Sequence, residues 1–301
     1  GRTGRLFSGK IALEYVTETD PLSKETTMKH IRFRWPDWKP GALTSSWDDG
    51  TECDRRLVAI FNQHGLKGSF YLNSGALGKS AKESGWKNYV TAGEVATLYP
   101  GHEIGSHTIS HPHPWQVPEE ILRHEFTADR ACLEQLAGYP IRGAVIPFGW
   151  PAGHAILPDQ LGTWGFRYVR FTELNDRFDH PGDFLRWQPT AHCSMDLESL
   201  WHRFQERMKD TPGVLFYLWG HSYEFEDRKE WGKIEAWARL AGGTEGVWHA
   251  TNGQIYDYIT AWRHTAWSED GRKATNPSAQ TLFFTVDGAR VKLEPGQTQS
   301  F

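Results

Sequence analysis

From residue 41 onward, short apolar runs alternate with segments whose apolar residues recur at helical spacing. Residues 42–47 predict a strand, 53–63 a helix ending at His64-Gly65, and 67–73 a second strand. Thr91-x-x-Glu94 is a capping box that opens a short helix to Tyr99, and 102–106 predicts a third strand. Pro118 fits the first turn of a long helix to Ala137, with Gly138 just past its end. Further strands are expected near 141–147, 166–171 and 184–190. The stretch 196–209 is amphipathic through Leu197, Leu200, Trp201, Phe204 and Met208. The run 214–219 is almost continuously apolar, as in a strand covered on both faces. A charged helix near 226–241, a strand at 247–250 and a helix at 252–263 complete the alternation, which argues for a parallel sheet closed into a barrel or nearly so.

The pattern changes at both ends. Residues 281–286, the turn Asp287-Gly288 and residues 289–293 read as a β-hairpin. Before residue 41 the sequence is mixed, with charge near 17–30 and Pro36 and Pro40 closing it, as in an extension or outer strand. Three segments result: an N-terminal extension over 1–40, a main domain over 41–264 and a β-rich C-terminal extension over 265–301.

Composition narrows the field. A net charge of −4 on 301 residues leaves no basic stripe, which argues against nucleic acid as the main partner. No apolar run reaches the length of a membrane span, and the first residues lack the apolar core of a signal peptide. Cys53, Cys132 and Cys193 are too few and too scattered for a disulfide framework or a zinc spacing. Nothing in the composition fixes an oligomeric state. Fifteen tryptophans are a large excess; Trp115, Trp150 and Trp219 lie beside polar motifs, where a flat ring with one polar edge suits a sugar face.

The chemistry concentrates at predicted strand ends. Asp48 and Asp49 follow the first strand and precede Gly50, and adjacent carboxylates resist joint ionisation unless a cation stabilises them. His107-Thr108-Ile109-Ser110-His111 follows the third strand and offers two imidazoles to one ion; Pro112 favours a tight turn there over a helix. A His/His/Asp set with open positions is the usual arrangement for a catalytic divalent ion, Zn²⁺ first, with Co²⁺ or Ni²⁺ as alternatives. A bound ion lowers the pKa of water to about 7 and polarises a carbonyl. Asp48 is then placed as general base, and His221, after the strand at 214–219, as the acid that protonates a leaving amine or alcohol. The backbone N–H of Phe148, in Pro147-Phe148-Gly149, would join the ion in holding an oxyanion.

These motifs resemble those of the polysaccharide deacetylase family, the NodB-homology or carbohydrate esterase family 4 group. Ser46-Trp47-Asp48-Asp49-Gly50 is similar to its first motif with Trp for the usual Phe, His107 to His111 to its His-Ser/Thr-x-x-His motif, and Leu218-Trp219-Gly220-His221, more loosely, to its Leu-x-His motif. The resemblance, over about 41–262, implies an α/β fold, a distorted (β/α)7 barrel. It also implies a metal triad of Asp49, His107 and His111, with Asp48 as base and His221 as acid. Removal of N-acetyl groups from amino sugars of a polysaccharide or oligosaccharide is the implied activity, and a secreted or periplasmic setting the implied location. Two positions depart. Val145 stands where the family often carries an arginine that pairs with the base, and the acidic residue that orients the acid histidine has only Asp176, Asp179 and Glu224 as candidates. The competing readings are an O-acetyl esterase on an acetylated polysaccharide and a carbohydrate-binding barrel without turnover.

Overall fold

A computed structural model describes residues 29–149 and 157–301; the expectations for residues 1–28 and for Trp150 lie outside them. In chain order the first half runs β1 (Ile31–Arg34), β2 (Gly41–Asp49), α1 (Asp54–Gln63), β3 (Ser69–Leu72), α2 (Ala81–Ser84), α3 (Ala92–Leu98), β4 (Glu103–Ser106), α4 (Glu119–Ala137) and β5 (Gly143–Val145). Then follow α5 (Leu157–Thr163), β6 (Tyr168–Arg170), β7 (Ala191–His192), α6 (Leu197–Asp210), β8 (Val214–Gly220), α7 (Tyr223–Asp227), α8 (Trp231–Gly242), β9 (Val247–His249) and α9 (Asn252–Arg263). Strands β10 (Ala266–Trp267), β11 (Lys273–Thr275), β12 (Leu282–Val286), β13 (Ala289–Leu293) and β14 (Thr298–Ser300) complete it.

The parallel strands lie in the order β6-β5-β4-β3-β2-β8-β7, and β9 pairs with the start of β2. A parallel bridge from Arg170 to Trp187 brings the segment leading into β7 back against β6, so seven strands curl into a distorted barrel as expected. Every residue of central β2 is buried. Leu43 and Trp47 pack outward into the largest apolar cluster. On the alternate face Thr44 accepts from Asn252 Nδ2 at 2.9 Å, and the Asn252 side-chain oxygen accepts from the hydroxyls of Tyr71 and Tyr217. The barrel interior thus carries a polar network centred on Asn252, and Asp48 continues its face of β2 at the upper, carboxyl end.

Two elements differ from the sequence reading. The expected strand at 184–190 is instead a single helical turn at Phe184–Arg186, where the Asp183 side chain accepts from the Leu185 N–H, followed by the lone bridge at Trp187 and then β7. Pro189, which cannot donate to a ladder, separates the two pairings. The charged helix near 226–241 is two helices, α7 and α8, broken where Lys229 adopts φ +56°. At the ends of the chain, β12 and β13 form the hairpin expected at 281–293, and β1 pairs antiparallel with β12.

Candidate active site

A cavity of about 540 Å³ opens at the carboxyl ends of these strands and is lined by Asp48, Asp49, His107, His111 and His221. Consecutive strand residues face opposite ways, so Asp48 and Asp49 share a cavity only because the backbone turns. Asp49 takes φ +79°, and Gly50 follows at +70°, where a Cβ would lie 2.8 Å from Leu72 Cδ2. Thr108 (φ +71°), His111 (+54°) and Phe148 (+61°) are also left-handed. Backbone strain of this kind concentrates at functional sites.

His107 Nε2 and His111 Nε2 lie 3.4 and 3.6 Å from Asp49 Oδ1. Tetrahedral donors about 2.0–2.1 Å from an ion stand roughly 3.4 Å apart, so both distances suit donors to one divalent ion, and the three ligand atoms all lie within 4.8 Å of one another. His107 Nδ1 is 2.9 Å from the Val145 carbonyl, which accepts its proton and leaves Nε2 free to ligate. Burial pushes the Asp49 carboxyl up, but the hydrogen bond and charge of His107 outweigh it and hold Asp49 at about 2. Burial and the neighbouring His107 drive His111 down to about 4, towards the neutral form that binds metal.

Asp48 has a partner that sequence reasoning missed. Arg170, at the end of β6, is wholly buried, and its Nη2 pairs with Asp48 Oδ2. Asp48 Oδ1 is buried with no hydrogen-bond partner among the described residues. Val145, at the position where an arginine was expected, serves through its carbonyl instead. The signal for Arg170 was a charge at the end of the apolar run 166–171. Opposite, His221 Nε2 lies 3.9 Å from both Asp48 and Asp49, and His221 Nδ1 lies 2.7 Å from Glu224 Oε1. Burial would lower the His221 pKa, but the Glu224 hydrogen bond and the two aspartates raise it. Asp176 and Asp179 pair with Arg203 and Arg177 away from this cavity, so of the three candidates only Glu224 reaches His221.

The aromatic expectations fare less evenly. Trp219 lines the cavity, but the Arg170 guanidinium lies 4.1 Å from its ring centre and takes up one face. Trp115 does not line it; its ring leans on His113, which stacks at 3.7 Å on the exposed Phe148 ring. Trp86, Tyr89 and Tyr223 line the cavity and were not foreseen. Tyr223 lies two residues past His221, whereas Trp86 and Tyr89 are remote from every motif and only the fold brings them to the site.

Comparison with known proteins agrees with this architecture. Residues 37–163 match the family model described as polysaccharide deacetylase. A peptidoglycan-N-acetylglucosamine deacetylase of Bacillus cereus is 33% identical over 122 residues, 40% of this chain, and the match spans only 38% of that relative's length. A protein of Mycobacterium smegmatis described as a polysaccharide deacetylase has the same fold, with a TM-score of 0.54 at 19% identity, covering 78% of this chain and 95% of that one.

Proposed function

For a chain that belongs to the polysaccharide deacetylase family through its residues 37–163, we propose hydrolysis of N-acetyl groups on the amino sugars of a polysaccharide, with 41–264 as the catalytic unit. The observation that carries the proposal is the convergence on one cavity of an Asp/His/His set, a second carboxylate and a third histidine. In this reading Asp49, His107 and His111 hold a divalent ion, Zn²⁺ by the donor set. When bound, such an ion supplies Lewis acidity that activates water and polarises an acyl carbonyl.

The protein's own groups do the rest. Arg170 holds Asp48 through Oδ2, and the Asp48 carboxylate is assigned to take the proton from the attacking water. His221, held at Nδ1 by Glu224, presents Nε2 to the leaving nitrogen and delivers the proton without which an amide cannot depart. The Phe148 N–H is assigned to the developing oxyanion. The cavity is large enough for a sugar unit, and the B. cereus relative's named substrate supports an N-acetylglucosamine-type unit.

Acetate release from a panel of N-acetylated and O-acetylated glycans tests this. Release from N-acetyl substrates should stop with a strong chelator and return with Zn²⁺ or Co²⁺. Full release by metal-free protein overturns the mechanism, and release from O-acetyl substrates alone makes the protein an esterase.

A further inference from the structure

Two imidazoles, not one, converge on the carboxylate behind His221. Glu224 Oε1 is 2.7 Å from His221 Nδ1 and 3.1 Å from His192 Nε2, while Oε2 pairs with Arg228 Nη2 at 2.7 Å. His192 ends β7, the strand beside β8, and so reaches Glu224 from a separate part of the fold. Its tautomer is set by the backbone. The Ser194 N–H lies 3.2 Å from His192 Nδ1, and a backbone N–H can only donate. Nδ1 must therefore accept, and neutral His192 carries its proton on Nε2, facing Glu224. The Ser194 hydroxyl, 2.8 Å from the same nitrogen, reinforces that assignment.

Cys193 Sγ lies in the same cluster, so His192, Cys193 and Glu224 together have the composition of a metal site. One fact speaks for hydrogen bonds there instead: a guanidinium already sits on the Glu224 carboxylate.

We propose that His192 is a positioning residue for proton delivery by His221. Glu224 sits on α7, a helix of five residues that begins two residues after His221 and lies outside the sheet. Arg228, on the same turn and half exposed, follows wherever that turn goes. Besides His221 itself, His192 is the group that ties the carboxylate to the barrel sheet. With Glu224 held from the sheet, the His221 ring is locked with Nε2 facing the cavity; without His192, the carboxylate can turn with Arg228 and the ring loses its aim. The inference rests on the reading of His221 as the acid.

The experiment compares His192→Ala and His192→Gln, the latter keeping an N–H donor, on an N-acetyl oligosaccharide and on an activated aryl acetate that needs no protonation to leave. His192→Ala should lower kcat on the N-acetyl substrate roughly tenfold or more, the low end of what a hydrogen bond to a charged group is worth. KM, activity on the aryl acetate and bound metal should stay unchanged, and His192→Gln should recover most of the loss. If the alanine variant fails to fold, His192→Asn, too short to reach Glu224, replaces it. Equal losses on both substrates, or no recovery with glutamine, overturn the proposal. A second equivalent of bound metal that disappears in the variant assigns the cluster to a cation instead. His221→Ala run in parallel separates the two levels. If its loss is also equal on both substrates, the acid assignment itself is wrong; if it is selective for the amide and His192→Ala is not, only the role of His192 fails.

Discussion

On one side of the cavity Asp49, His107 and His111 owe their positions to local backbone: Asp49, Thr108 and His111 all take positive φ, and the two histidines come from one five-residue turn. On the other side Asp48 and His221 keep ordinary backbone angles and owe their settings to partners, Arg170 from β6 and Glu224 from α7, with His192 of β7 behind the latter. The first arrangement suits ligands that must meet at one point, since a short turn fixes their spacing whatever the rest of the barrel does. In the proposed reading, the second suits groups that move protons, whose orientation is set by partners brought from elsewhere. In that reading, holding an ion would be a property of two short segments, and using it a property of the assembled fold.

This contrast predicts which changes separate binding from turnover. The largest effect should come from the ligand side: His107→Ala should lose bound metal and with it all acetate release, read by metal analysis and activity together. Retention of metal would mean that the turn is not the ligand set. Next, Asp48→Asn should keep its metal while kcat falls by roughly 10²–10⁴-fold, the usual worth of a general base. Metal loss equal to that of Asp49→Asn would erase the division of labour between the two carboxylates. Arg170→Met comes third. It leaves a buried carboxylate unpaired, a change that typically costs about 3–5 kcal/mol of stability, and kcat should fall as Asp48 loses its orientation. Adding Asp48→Asn should return much of the stability and none of the activity, because the uncompensated charge is then gone. A double variant as unstable as the single one would mean that Arg170 acts through packing on Trp219 and not through the ion pair.

The same contrast explains what could be read from the sequence. The alternation of periods and the strand-end motifs were enough for the barrel and for the five converging side chains, because each is a local pattern: a short apolar run, a capping box such as Thr91 to Glu94, two histidines four apart. What escaped depends on pairing across distance. Arg170 is 122 residues from Asp48, and only barrel closure through Trp187 places β6 where it can reach. Glu224, three residues past His221, was one of three acidic candidates, and only the fold singles it out over Asp176 and Asp179. The strand expected at 184–190 stopped short of His192, so the rim position of that histidine went unread.

The smallest predicted effect concerns the aromatic wall, where position near a motif proved a poor guide. Trp115 follows the His-x-x-x-His turn closely in sequence, yet it packs on His113 outside the cavity. Trp86 is about twenty residues before that turn, yet it lines the cavity, 46% exposed, with its ring edge-on to Tyr223 at 4.7 Å. The neighbouring Lys87 pairs with Asp227 on α7, which ties the Trp86 loop to the His221 side of the site. An exposed ring held in this way offers a face to a sugar without entering the chemistry. Trp86→Ala should therefore raise KM for an N-acetyl oligosaccharide by roughly two- to tenfold, the range expected from losing one aromatic contact. It should leave kcat and the hydrolysis of a small aryl acetate unchanged. Trp115→Ala should leave all three unchanged. The opposite outcome, with Trp115 governing KM and Trp86 silent, would put the glycan on the Phe148 side of the cavity. The ligand turn would then carry both the ion and the substrate, and the two sides would no longer divide the work as argued here.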